Sequence, residues 1–138
     1  MHIKIITDAD AKEYFKTTGT FKDILEDVYI IEWLDEKNVK LYLLFDEGGD
    51  ILSFSLLSKM RMDPLKKHTN PHHLSYIYTF EKYRRNGYAN HLLQEVKKEL
   101  ETTVFCTNDN NKDLFEKAGY NFTSFDTLYN SFPIYRFP

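Results

Sequence analysis

Residues 3–7, Ile-Lys-Ile-Ile-Thr, carry the apolar alternation of a strand, and the polar run after them changes the period. Asp8 or Asp10 supplies a cap for a helix reaching about Thr18, with Gly19 as its stop signal, so the chain should open with an edge strand and a helix. From residue 21 to 36, Phe21, Ile24, Leu25, Val28 and Ile31 recur at helical spacing while Asp23, Glu26, Asp27, Asp35 and Glu36 fall elsewhere. The end of that stretch, residues 29–34, fits a helix or an extended segment equally. Residues 39–45 and 51–60 are two apolar runs around Asp46-Glu47-Gly48-Gly49-Asp50, which predicts a hairpin whose glycines provide positive φ.

Asp63-Pro64 and Asn70-Pro71 mark residues 61–71 as a loop before a strand over 73–80. A helix follows Arg84-Arg85-Asn86-Gly87-Tyr88-Ala89 and runs to about Glu101, with Leu92, Leu93, Val96 and Leu100 on one face. A short strand over 103–107, a helix over 111–118 closed by Gly119, and strands around 120–125 and 134–137 complete the reading. The aromatic tail serves as a core strand or as an interface between copies, so a homodimer stays open. The predicted order is β, α, α, β, β, β, α, β, α, β with room for one more strand, in one domain over residues 1–138.

Composition narrows the function classes. Of the 138 residues, 42% are hydrophobic, enough for one core without disulfides, and the net charge of −3 argues against a nucleic-acid backbone as partner. The Lys66-Lys67 pair is too short to alter that. No apolar run is long enough to span a bilayer and no signal-peptide block follows Met1, which predicts a cytoplasmic protein with no membrane contact. A lone cysteine, Cys106, excludes a cysteine-based metal site within one chain and reads as a buried strand residue. His68, His72 and His73 lie near prolines without a matching carboxylate pattern, so no metal is expected.

The chemistry concentrates where the strand over 73–80 passes through a Gly-containing loop into a helix. The first turn of a helix has unpaired N–H groups and a partial positive charge, so main chain alone can hold a pyrophosphate there. Gly87 and Ala89 leave room for it, and Arg84 and Arg85 add charge.

The run Ile77-Tyr78-Thr79-Phe80-Glu81-Lys82-Tyr83-Arg84-Arg85-Asn86-Gly87-Tyr88-Ala89 resembles motif A of the GNAT acetyltransferases, whose core is Gln/Arg-x-x-Gly-x-Gly/Ala. Asn108 and, further on, Phe115-Glu116-Lys117-Ala118-Gly119-Tyr120 are similar to that family's motif B. The resemblance implies an α/β fold with a mixed, mostly antiparallel central sheet flanked by helices, and central parallel strands splayed around a pantetheine slot. It further implies acetyl-CoA as cosubstrate and an acetyl group moved by direct transfer onto a primary amine of a small molecule or protein. By the same analogy Ile77, Tyr78 and Thr79 meet the pantetheine arm, Arg84, Arg85, Asn86, Gly87, Tyr88, Ala89 and Asn90 grip the pyrophosphate, and Asn108 and Phe115 complete the cofactor site.

Two departures matter. Many members carry a Tyr where Phe115 stands, whose phenol protonates the departing thiolate; with a thiol pKa of about 8.5, expelling it unprotonated costs roughly 2 kcal/mol. An amine with a pKa of about 10.4 is protonated at neutrality, a penalty of roughly 4 to 5 kcal/mol, so a base or a desolvating site is required. No carboxylate lies between His73 and Phe80, and His73 is the candidate base: it starts the strand, where some members carry a catalytic Glu, and shares alternation with Ser75, Ile77 and Thr79. The bland alternative makes His72 and His73 polar residues of a strand edge. Tyr76, Tyr78 and Phe80 then face the core. The acidic residues over 23–36 either attract a cationic amine or are a wet helix face, and Trp33 and Tyr29 either line a pocket or pack. The rivals to an enzyme are a coenzyme A binding module or regulatory GNAT-like domain without turnover and, if both motifs are coincidental, an α/β interaction domain with no cofactor.

Overall fold

The computed structural model describes residues 1–26, 28–36, 38–60, 70–100, 102–105, 112–125 and 133–137. Strand β1 (His2–Thr7) leads into α1 (Asp8–Thr17), two short 3-10 turns (Gly19–Phe21 and Ile24–Glu26) and α2 (Val28–Leu34). The hairpin β2 (Lys40–Phe45) and β3 (Ile51–Lys59) precedes β4 (His72–Thr79), a 3-10 turn (Glu81–Tyr83), α3 (Tyr88–Glu99) and β5 (Thr102–Phe105). Helix α4 (Lys112–Lys117), β6 (Asn121–Phe125) and β7 (Pro133–Phe137) follow. The strands form one sheet in the order β1-β2-β3-β4-β5-β7-β6. Every neighbouring pair is antiparallel except β4 and β5, which run parallel because α3 carries the chain back across the sheet.

Helices cover both faces, which is why β2 and β3 are buried almost throughout, including Ser53, Ser55 and Ser58 of β3. On one face Leu41, Leu43, Phe54 and Leu56 pack with Ala11 and Phe15 of α1, Phe21, and Ile30 and Leu34 of α2. On the other, Tyr42, Leu44, Leu52, Leu57 and Leu74 pack with Leu92, Leu93 and Val96 of α3 and Phe115 and Ala118 of α4.

Three sequence expectations change. The helical spacing over 21–36 resolves into 3-10 turns and then α2: residues three apart also eclipse in a 3-10 turn, so Phe21 and Ile24 reach the core without an α-helix between them. Asp8 does not cap α1; the N-cap is Thr7, and Asp8 sits at φ 52° with its N–H donating to the Val39 carbonyl at 2.9 Å. The hairpin turn needs only one of its two glycines at positive φ, Gly49 at 89°, and Asp46 closes it by accepting the Asp50 N–H on Oδ1 at 2.8 Å. The seventh strand, left optional by the sequence, is present, and β1 is an edge strand as read.

Candidate functional site

Strand β4 is not regular. Its register against β3 pairs Leu56 with Tyr76 and Leu57 with Leu74, so Ser75 is an extra residue, a β-bulge. A bulge bends the strand and resets which face each side chain takes. Leu74 belongs to the core under α3, but so does Ile77, while Tyr76, Tyr78 and Phe80 pack toward α1 and α2.

The bulge coincides with a second change. On its other side β4 pairs with β5 only at His72↔Thr102, His73↔Thr103 and Leu74↔Val104. From Ser75 to Thr79 the strand continues without a partner on that side among the described residues. Among the described residues the two parallel strands pair only before the bulge, and beyond it the edge of β4 has no described strand neighbour on that side.

At the far end of β4 the chain makes a tight loop into α3. Arg85 has φ 68° and Gly87, the N-cap of α3, has φ 79°. Two left-handed residues around a helix start turn successive N–H groups toward one concavity, the geometry of an anion nest. Gly87 has no side chain to cap the helix, and the helical bonds begin with the His91 N–H to the Gly87 carbonyl at 3.0 Å. A Cβ added at Gly87 would meet nothing within 4 Å, so glycine is required there by φ rather than by crowding. The loop is held by its own side chains. Arg84 donates from Nε to the Thr79 carbonyl at 2.9 Å, and Asn86 donates from Nδ2 to the carbonyls of Tyr83 at 2.9 Å and Arg84 at 3.3 Å.

Strand gap and loop bound one cleft of about 790 Å³. Ile77, Tyr78 and Thr79 form its strand wall, Arg84, Arg85, Gly87, Tyr88, Ala89 and Asn90 its loop and helix wall. The third wall is Leu114 and Lys117 of α4, which the sequence reading missed. They lie three apart on one helix face, next to the face on which Phe115 and Ala118, also three apart, enter the core; that offset was the available signal. Among the described residues the lining contains Arg84, Arg85 and Lys117 and no carboxylate, a set that favours an anion.

Other expected site residues fall outside the lining. Asn86 shapes the loop from behind. Phe115 is buried, stacked on Tyr135 at 5.8 Å and edge-on to Tyr120 at 5.9 Å, in the core rather than on the cleft wall. Burial raises the pKa of the Tyr120 phenol. Asn108, Cys106 and His68 lie outside the described residues, as does the Tyr29 side chain.

His73 needs a correction. It was expected to share a face with Ser75, Ile77 and Thr79, but the bulge intervenes. His73 is opposite Ser58, two residues along β3 from Leu56, which packs toward α1 and α2. It therefore takes the face of Tyr76 and Tyr78, with Nδ1 3.4 Å from the Ser75 hydroxyl, while Ile77 packs on the other side. Burial lowers its pKa to about 4, so it is neutral at physiological pH and holds a proton weakly.

The pattern of a nest, a strand gap and a cationic rim has a counterpart in sequence: residues 5–120 match the model of the acetyltransferase (GNAT) family. The chain belongs to that family. Solved structures agree on the fold of this GNAT protein. A ribosomal-protein-alanine N-acetyltransferase from Brucella melitensis biovar Abortus 2308 superposes with a TM-score of 0.60 at 15% identity, covering 85% of this chain and 90% of its own. The aminoglycoside 6'-N-acetyltransferase AAC(6')-IG from Acinetobacter haemolyticus gives 0.59 at 17% identity, covering 89% and 92%. Naa20 of Chaetomium thermophilum, in complex with a bisubstrate analogue, gives 0.55 at 13% identity, covering 99% and 84%. No curated protein matches the chain. At these identities the superpositions speak to the fold.

Proposed function

We propose that this GNAT protein is an acetyl-CoA-dependent N-acetyltransferase that moves the acetyl group directly onto a primary amine of a small molecule or protein. The observation that carries the reading is the coincidence of two features in one cleft: an edge of β4 that no described strand pairs beyond Leu74, and the left-handed residues Arg85 and Gly87 at the start of α3. The residues fit the cosubstrate. A pantetheine arm is a chain of amides, which an open strand edge can pair; a diphosphate suits the first-turn N–H groups with Arg85 and Lys117 at the rim. Space above Gly87 is open on the side where a Cβ would stand.

When bound, acetyl-CoA supplies a thioester as acyl donor. The amine nitrogen, in its neutral form, attacks the acyl carbon; the C–N bond forms, the C–S bond breaks, and sulfur leaves as thiolate. The nitrogen gives up a proton and the sulfur takes one; neither Phe115 nor His73 borders the cleft, whereas Tyr78 and Tyr88 do, so these tyrosines or solvent carry the protons. The chain's own contribution is to fix the loop through Arg84 and Asn86, orient the donor along β4, and neutralise the diphosphate.

The test is a thermal melt with acetyl-CoA, followed by thiol release with a panel of amines. Ligand at 100 times its dissociation constant should add about 2.7 kcal/mol of stability. No shift at millimolar ligand ends the reading. The core position of Phe115, which brings no phenol to the cleft, favours the second reading of a coenzyme A binding module; a melt shift without thiol release on any amine would select it.

A further inference from the structure

The bulge at Ser75 lays Tyr76, Tyr78 and Phe80 in a row along the face toward α1 and α2. Trp33 of α2 meets Tyr76 at 5.9 Å, Tyr76 stacks on Tyr78 at 6.3 Å, and Tyr78 meets Phe80 edge-on at 5.3 Å. Beneath them Phe15, Phe21 and Phe54 are completely buried. Trp33, Tyr76 and Tyr78 are only half-buried and keep ring surface at the exterior. The row is also tied to the cleft. The Arg84 guanidinium lies over the Tyr78 ring at 5.2 Å, and both residues line the cleft.

We propose that Trp33, Tyr76 and Tyr78 form the acceptor side of the site and select a primary amine with a single charge on an aromatic or alkyl body, an arylalkylamine being the type. This rests on the acetyl-transfer reading and adds the acceptor class to it. Ring faces attract one ammonium and pack an apolar body, and the Tyr78 ring already holds a cation on its face. A polyamine or aminoglycoside needs carboxylates for its further charges. Strand β4 has none, the Asp35 carboxylate just past α2 is engaged by Lys12, and the acidic residues beside Trp33, Glu32 and Glu36, are exposed at the surface. Arg84, at the end of the row, repels a second positive charge.

The same surroundings address the protonation of the nucleophile. The ring faces receive the ammonium, and the neighbouring Arg84 guanidinium disfavours that charged form, so an amine that moves along the row to Tyr78 gives up its proton more readily than at Trp33, without a carboxylate on β4. His73, neutral and on the same face, adds no charge to oppose that.

Trp33 is the single tryptophan of the chain, which gives a reporter at the proposed site. Protein saturated with coenzyme A is titrated with 2-phenylethylamine and with spermidine while tryptophan emission is followed at an excitation where tyrosine does not absorb; kcat/KM is measured for the same amines with acetyl-CoA. The expected result is a saturable emission change with phenylethylamine and a preference for it over spermidine of at least about tenfold in both measurements. Trp33→Leu should raise the KM for phenylethylamine about tenfold without changing the KM for acetyl-CoA, and Trp33→Phe should recover most of the loss. Equal or better use of spermidine, a flat emission response to phenylethylamine, or an unchanged KM in Trp33→Leu overturns the inference. A missing melt shift with acetyl-CoA instead sinks the transfer reading itself, whereas acetylation of spermidine alone leaves that reading standing and removes this one.

Discussion

Strand β4 contains two regions of different character within eight residues. At His72–Leu74 it is paired on both sides, and His73, the second of its two histidines, is half-buried and neutral. Beyond Ser75 it is paired on one side among the described residues, and Ile77, Tyr78 and Thr79 line a cleft. The residue types differ, His-His-Leu against Tyr-Ile-Tyr-Thr, and so does the neighbour. Pairing on both sides converts a chemically capable side chain into structure, and loss of one partner converts plain backbone into a binding surface.

The largest expected effect lies in the paired half and concerns stability. His73 has a pKa of about 4 folded against an ordinary value of 6.5, so the unfolded chain binds the proton first as pH falls. Stability is complete above 6.5, is lost through the window from 6.5 down to about 4, and changes no further below it on account of this group. The total approaches about 3 kcal/mol at most, and part of the ring still reaches the surface, which lowers the figure toward about 2 kcal/mol. Urea unfolding of the wild type and His73→Gln at several pH values should show the slope in that window for the first and its loss in the second. An acetylation rate that nonetheless inflects near pH 6.5 and loses the inflection in His73→Gln would return His73 to chemistry and break the contrast.

An effect of similar size lies at the end of the open half. Gly87→Val places a β-branched residue at φ 79° without any steric neighbour at its Cβ, so the cost falls on loop geometry rather than on packing. Affinity for acetyl-CoA should fall about a hundredfold, on the order of 2 to 3 kcal/mol, while the melting temperature of the free protein changes by only a few degrees. Calorimetry with both proteins checks this. Unchanged affinity would mean that the nest is not the anion site.

How far the sequence revealed this contrast depends on the range of the interactions involved. The nest was legible because it is local: Arg84-Arg85-Asn86-Gly87 needs a glycine at one position and two side chains that bond the adjacent main chain. The element order and the β2–β3 hairpin were legible for the same reason, since apolar period is a property of short windows. The bulge was not. Nothing in His72-His73-Leu74-Ser75-Tyr76 marks Ser75 as extra, because the register is set by β3, some twenty residues away in sequence, and so the face of His73 was misjudged. The face that α4 turns to the cleft was hidden likewise. It is fixed by Gln94 and Lys97 of α3, which donate to the Ala118 carbonyl at 3.1 Å and 2.6 Å, and only that docking brings Leu114 and Lys117 to the cleft wall.

The smallest effect sharpens the comparison at that wall. Arg84 is occupied by the Thr79 carbonyl and the Tyr78 ring, so its charge serves the loop as much as a ligand. Arg85 and Lys117 are exposed and stand on different walls of the cleft, one on the loop and one on α4. If both reach the phosphates, Arg85→Ala and Lys117→Ala should each weaken acetyl-CoA binding about five- to tenfold, and the double variant should weaken it by about the product, since the two side chains act from separate elements. Each should also flatten the dependence of affinity on salt, because a screened charge pair has been removed. The contrast with Arg84 is the informative part. Arg84→Ala frees the Thr79 carbonyl and should raise the dissociation constant while leaving the salt dependence closer to wild type, the behaviour of a residue that shapes the loop. A salt response lost in Arg84→Ala and kept in Lys117→Ala would move the anion contact onto β4's end and take α4 out of the site.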